Sequence, residues 1–237
     1  PHTLSLHDAL PILLFGVHPA TAVGTDLLYA AITKMGGTTV HARKGHVDWK
    51  ITGRLAAGSI PATILTLSAL SYFGLPEKHL SVVISSVLGV ALLLTAVALI
   101  FKQRIQAFAL SHHSDHWRTR WLGPVTVATG ALLGVLVSLS SVGAGAIGVA
   151  VLFFLYPQLS AIRIVGSDLA HAVPLTLVAG IGHWMMGSVD WSLLGSLLIG
   201  SLPGIYLGSH LAARMPERLL RPVLASMLVL IGVKLLV

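Results

Sequence analysis

The chain contains no cysteine, so neither a disulfide framework nor a thiolate metal site can be built from it. That absence identifies no compartment. Charge is almost as scarce. Asp, Glu, Lys and Arg make up 10% of the 237 residues, against about 25% in soluble domains. Fifteen basic and eight acidic side chains cannot coat a soluble bundle that buries the apolar runs of this sequence as core helices. The net charge of +7 is not a nucleic-acid footprint, because the basic residues sit in short segments between apolar runs. No nucleic-acid partner is expected. Motifs of the His-x-x-Glu-His and Gly-x-Ser-x-Gly type are also missing, as are paired metal-ligand spacings. No cofactor is expected.

What is abundant is apolar sequence. Hydrophobic residues reach 55%, and long runs recur at 51–74, 80–101, 122–142, 191–212 and 222–237. The stretches 19–41 and 162–185 are more polar. Several runs exceed the roughly 20 residues that a helix needs to cross a bilayer. The expected fold is all-α: a polytopic membrane protein whose first partner is lipid.

One stretch occurs twice. A shift of 142 places Gly24-Thr25-Asp26-Leu27 on Gly166-Ser167-Asp168-Leu169. Without a gap, His41 then falls on His183 and Gly45 on Gly187. Val47-Asp48-Trp49 falls on Val189-Asp190-Trp191, and Gly58-Ser59-x-Pro61 on Gly200-Ser201-x-Pro203. A shift of 140 pairs Pro76-Glu77 with Pro216-Glu217. Two such units in an apolar chain indicate a duplicated membrane domain, a layout common in secondary transporters.

Residues 3–12 look like the translation of a short-read sequencing adapter, so 1–12 is set aside. The expected organisation is a first repeat over 13–101, a polar linker over 102–121 and a second repeat over 122–237. Residues 122–152 have no upstream counterpart, which predicts that a first span is missing and the chain is a fragment. The stretch 122–156 is too long for one simple span. Its weak point, Ser140-Ser141-Val142-Gly143-Ala144-Gly145, predicts a broken or re-entrant pair of helices.

Lys and Arg orient the spans. If loop 42–50 is cytoplasmic and 122–156 returns to the side it left, nearly all the interspan basic residues become cytoplasmic. These are Arg43, Lys44, Lys50, Lys102, Arg104, Arg118, Arg120, Arg163, Arg214, Arg218 and Arg221, with Lys78 alone opposite. If 122–156 crosses once, the two sides nearly balance. The rule therefore favours inverted repeats.

Ionisable groups inside spans are costly and usually kept for a reason. Asp26 and Asp168 match between the repeats, and each follows a hydroxyl, Thr25 or Ser167. The alternative is structural: each Asp bonds freed backbone N–H groups at a helix break. Lys34 lies two turns after Asp26 and could pair with it, face an anion or snorkel toward the interface. His171, three residues after Asp168, shares its helix face and could relay protons or simply be hydrogen-bonded. Ser141, Gly143 and Gly145 offer backbone groups at the break. Pro61 and Pro203 are expected to break or kink their helices. Asp48 and Asp190 suit N-capping, with Trp49 and Trp191 at the headgroups. The linker's Ser111-His112-His113-Ser114-Asp115-His116 has metal-ligand chemistry without fixed geometry, and a solvated connection is the simpler reading. No metal centre is expected.

Three segments in order carry a family resemblance. Gly24-Thr-Asp-Leu-Leu-Tyr-Ala-Ala-Ile-Thr-Lys34, then Val40-His-Ala-Arg-Lys-Gly-His-Val-Asp-Trp49, then Gly58-Ser-Ile-Pro61 resemble the TauE/SafE sulfite-exporter family. The likeness covers residues 13–237. It implies a multi-pass permease of a prokaryotic inner membrane that moves a small anionic substrate such as sulfite, thiosulfate or a sulfonate. The family carries a Gly-rich turn in the first span of each repeat, and here the second copy reads Val142-Gly143-Ala144-Gly145-Ala146. Half-helix N-termini would offer N–H groups to the anion, with Lys34, His171 and His183 adding positive charge. A membrane-embedded enzyme and a passive anion channel are the competing readings.

Overall fold

The computed structural model describes residues 18–73, 77–112, 115–142, 145–201, 226 and 229–234. The adapter-like residues, Pro76, Gly143, Pro203, Pro216 and Glu217 lie outside these. So do the side chains of the His-rich segment 111–116. Every described element is helical. They are α1 (Pro19–Arg43), α2 (Trp49–Phe73), α3 (Glu77–His112), α4 (Asp115–Ser140), α5 (Ala146–Leu155), α6 (Ala161–Met185) and α7 (Trp191–Ser201), with further helix at 229–234.

Two helix–turn–helix units, α1–α2 and α6–α7, are built by the same local chemistry. Pro19 opens α1, where its missing N–H costs nothing. The helix closes on a turn in which Gly45 takes φ +69°, a conformation costly for other residues. There the His46 N–H donates to the His41 carbonyl at 2.9 Å. Asp48 then caps α2, its Oδ1 accepting from the N–H groups of Lys50 at 3.1 Å and Ile51 at 3.3 Å. In the second unit Gly187 has φ +75°, and the Ser188 N–H donates to the His183 carbonyl at 2.9 Å. Asp190 Oδ1 accepts from Ser192 at 2.8 Å and Leu193 at 2.9 Å. The capping expected of both aspartates is what the fold shows.

Helices α1 and α6 lie against one another along their length and run antiparallel. Gly24 faces the Ser188 carbonyl, Gly180 faces Leu28, and Gly166 faces the His46 carbonyl. Helices α2 and α4 run parallel and nearly touch: a Cβ on Gly58 would meet the Val127 carbonyl, and one on Gly130 the Leu55 carbonyl. Small residues let backbones approach this closely, which is how helices pack in lipid. One apolar cluster joins α1, α3, α4 and α6 through Ala20, Leu27, Ile84, Val137 and Leu175. A second joins α2, α5 and α6 through Ile51, Leu55, Phe153, Tyr156 and Ile164.

Among the described residues, three segments, Trp49–Phe73, Trp121–Ser140 and Ala161–Met185, are long and apolar enough to cross a bilayer. Their outer surface is apolar too: Leu65 is 69% exposed and Leu132 57%, which water would not favour and lipid does. Aromatic side chains mark the ends. Trp49 and Trp121 are exposed at one end, and Tyr72, Phe73, Trp184 and Trp191 at the other.

The polar linker over 102–121 is helical where described: α3 continues to His112 and α4 begins at Asp115. One expectation needs correction. Pro61 does not break its helix, since α2 is continuous from Trp49 to Phe73. A proline inside a membrane helix is tolerated where neighbours re-satisfy the backbone. The turn after it is braced by Thr63, whose hydroxyl donates to the Gly134 carbonyl at 3.2 Å.

Candidate functional site

Ser140 ends α4, and the chain leaves helical geometry before α5 starts at Ala146. The break expected at this sequence is present. Ser141 has φ +58°, a left-handed conformation that costs a non-glycine residue about 1–2 kcal/mol. Gly145, at the start of α5, has φ +142° with open space around it, so backbone conformation rather than crowding selects glycine. Helix α5 has ten residues, about 15 Å, half the thickness of a bilayer core. It ends at Tyr156, whose hydroxyl lies 2.7 Å from Thr126 Oγ1, near the start of the apolar part of α4. The pair α4–α5 therefore returns to the end of the bundle that it left.

The same end collects basic residues. Arg54 reaches the Tyr156 hydroxyl at 3.5 Å, and Arg163 pairs with Asp48 at 3.6 Å beside the turn that carries Lys44. This is the end at which α1 finishes and α2, α4 and α6 begin.

The break is met by side chains from two helices. The Ser141 hydroxyl donates to Asp26 Oδ2 at 2.6 Å, a short charge-assisted bond to α1. Helix α1 is continuous through Asp26, so this carboxylate does not cap its own helix. Asp168 is 2% exposed inside continuous α6. Its Oδ1 has no hydrogen-bond partner and lies against Gly148, where a Cβ would collide with it. Gly148 is in the first turn of α5, where a helix favours negative charge. Lys34, half-buried on α1, feels the charges of both Asp168 and Asp26. Its own charge also acts on His171.

His171 is wholly buried, its Nε2 2.8 Å from the Ser59 hydroxyl of α2. This pair has the atoms of a nucleophile–base couple. However, His171 Nδ1 has no partner, so no third group orients the ring as a catalytic base requires. His183, also wholly buried, has Nε2 2.8 Å from the Ser138 carbonyl.

Of the residues singled out from sequence, Asp26 and Ser141 meet at the near edge of the break and Asp168 lies against Gly148 just past it, with Gly145 between. Lys34 lies on α1 between the levels of the two aspartates, and His171 packs on Ser59 of α2. Thr25 and Ser167 do not join them. The Thr25 hydroxyl accepts from the Asp190 N–H at 3.0 Å, and the Ser167 hydroxyl from the Asp48 N–H at 2.8 Å, at opposite ends of the α1–α6 pair. Sequence reasoning missed Ser59, Ser138 and Gly148. Ser59 alone left a trace there, within a Gly-Ser-x-Pro motif that occurs twice.

Comparison with known proteins identifies similar membrane transporters. The sequence model described as sulfite exporter TauE/SafE matches residues 9–235. The chain is 35% identical to the probable membrane transporter protein YjnA of Bacillus subtilis, over 95% of this chain and 88% of that protein. It is 30% identical to the probable membrane transporter protein YdhB of the same organism, over 94% and 89%. A probable membrane transporter protein of Xylella fastidiosa is 27% identical, over 87% and 76%. No solved structure matches the chain significantly.

Proposed function

Because this chain belongs to the TauE/SafE sulfite exporter family, we propose that it is a permease for small sulfur-containing anions such as sulfite, thiosulfate or sulfonates. Its place is the inner membrane of a prokaryote, with the basic end of the bundle in the cytoplasm. The observation that carries the reading is the Asp26–Ser141 bond, which ties α1, the helix that also carries Lys34, to the break. Non-helical backbone at membrane depth is tolerated only where it is buried in protein or lines an aqueous path. Freed N–H groups at the start of α5, with Lys34, supply the attraction that an anion needs.

A carboxylate repels an anion, so Asp26 and Asp168 serve other ends in this reading. Asp26 holds Ser141, and Asp168 with His171 carries the coupling proton. The reciprocal Thr25–Asp190 and Ser167–Asp48 bonds support an inverted relation of the two units, as alternating access about a central site requires. Transport involves no covalent chemistry.

Counterflow in proteoliposomes tests the proposal. Sulfite, thiosulfate and a sulfonate are offered with and without a pH gradient, beside Lys34→Met, Asp168→Asn and His171→Gln proteins. We expect flux of at least one of these anions, its loss in Lys34→Met and Asp168→Asn, and a changed pH dependence in His171→Gln. Full flux from both of the first two variants at normal membrane levels would remove these residues from the mechanism. Flux indifferent to the pH gradient would favour a passive channel.

A further inference from the structure

We propose that His183 is a positioning residue for the broken helix: it holds a carbonyl that the break deprives of its amide. In an unbroken helix the Ser138 carbonyl would accept from the N–H of residue 142. Here the Val142 N–H turns to the Ser140 hydroxyl at 3.2 Å, while the Ser141 N–H still closes on the Val137 carbonyl at 2.8 Å. The Ser138 carbonyl is therefore without its helical amide, and His183 Nε2 lies 2.8 Å from it. A carbonyl only accepts, so Nε2 carries the proton, and His183 Nδ1 has no partner. The bond fixes one tautomer and one ring orientation.

The consequence is geometric. Helix α6 reaches both edges of the break, with Asp168 against Gly148 in the first turn of α5 and His183 on the last turn of α4. From α1, Asp26 takes the Ser141 hydroxyl between them. His183 sets where Ser141 and Val142 begin their departure from the helix. Its donated bond also suits the negative end of α4. A buried carbonyl without a donor would seek one by rewinding, which would move Ser141 away from Asp26.

The inference rests on reading the break as the substrate contact, and the test separates the two. The Val142→Cys change gives this cysteine-free chain one thiol at the break. Its reaction with a small water-soluble methanethiosulfonate is timed in proteoliposomes, with His183 intact and with His183→Gln, His183→Asn or His183→Phe. Gln can reach the Ser138 carbonyl with a side-chain N–H; Asn is one methylene shorter and cannot. Asn, being polar and small, keeps the contrast measurable if Phe does not fit. Polar contacts between membrane helices are modest, so the expected change in reaction rate is roughly 3- to 20-fold for Asn and Phe, with Gln close to wild type. KM for sulfite flux should rise in the same order with a smaller change in kcat. Equal rates in the intact, Gln and Asn backgrounds would overturn the proposal, as would a failure of Gln to restore the intact rate. If sulfite and thiosulfate do not slow the reaction in the intact background while the Gln–Asn contrast persists, the substrate reading fails and the positioning role stands.

Discussion

The Asp190 N–H donates to the Thr25 hydroxyl at 3.0 Å, and 142 positions away on each side the same bond is made in reverse by Asp48 and Ser167 at 2.8 Å. Each hydroxyl belongs to one unit and each capping aspartate to the other. The α1–α6 pair is thus pinned at both ends by the turn of its neighbour. The Ser167 end has more contacts: the hydroxyl donates to the Arg163 carbonyl at 2.7 Å, and the Ser167 carbonyl accepts from Thr52 at 3.1 Å.

Thr25→Val and Ser167→Ala should each lower stability by about 1 kcal/mol, because a partly buried N–H loses its acceptor. The two sites are at opposite ends of the pair and share no partner. Their effects should therefore add, giving about 2 kcal/mol in the double variant. Reversible unfolding of the detergent-solubilised protein reads this directly. A double variant no weaker than either single one would mean that the two bonds report on one shared rearrangement.

Glycines in α2 separate packing from propensity. Gly58 sits against the Val127 carbonyl of α4, whereas Gly53, one turn earlier, has nothing within 4 Å of its would-be Cβ. Gly58→Ala should force α2 and α4 apart and cost about 1–3 kcal/mol. Gly53→Ala should instead stabilise the protein by about 0.5–1 kcal/mol through helix propensity. Equal effects from the two changes would contradict the close α2–α4 approach.

These two glycines also show what a sequence can and cannot reveal. Both fall in the duplicated stretch, and Gly53 matches as well as Gly58 does, yet only one is wedged between backbones. Repetition exposed Asp26, Asp168 and the capping aspartates because their chemistry stands out in apolar surroundings. The break at Ser140–Gly145 was legible because small residues interrupted a run too long for one span. The contacts that complete the site were not legible. Ser59 meets His171 and Ser138 meets His183 only because α2 and α4 pack on α6, and no periodicity within one helix encodes that pairing. The helix over the polar stretch 102–121 was not legible for a related reason: composition reports the solvent around a segment, and helix continues where the apolar run stops.

The return of α5 to its starting end has a topological test. Lys44 and Gln158 are exposed near the basic end, and Met185, 82% exposed, is at the other end of α6. Lys44→Cys and Gln158→Cys should label from the cytoplasm with a membrane-impermeant reagent, and Met185→Cys from outside. These positions are better probes than Gly45 and Gly187, whose positive φ angles would strain a cysteine. Labelling of Gln158→Cys from the same side as Met185→Cys would mean that α4–α5 crosses the bilayer instead of returning.

Gly148 is the sharpest place to ask whether Asp168 works through its charge. The carboxylate occupies the space that a Cβ at 148 would need, and its Oδ1 has no hydrogen-bond partner. Gly148→Ala brings no charge and removes none; it only pushes the carboxylate from its seat. Propensity would favour the alanine by about 1 kcal/mol in helical α5, while overpacking costs about 1–3 kcal/mol, so the protein should accumulate with a small net loss. Asp168→Asn makes the opposite change, keeping the shape and deleting the charge. If the carboxylate must be charged and correctly seated, both single variants lose anion flux, and Gly148→Ala with Asp168→Ala regains stability without regaining flux. If Asp168 only fills space beside α5, Asp168→Asn keeps its flux and Gly148→Ala alone is impaired. Flux per folded molecule, measured with thermal unfolding on the same preparations, distinguishes the two. We expect the first pattern, because an aspartate that is 2% exposed inside an apolar helix is costly to keep for its volume alone.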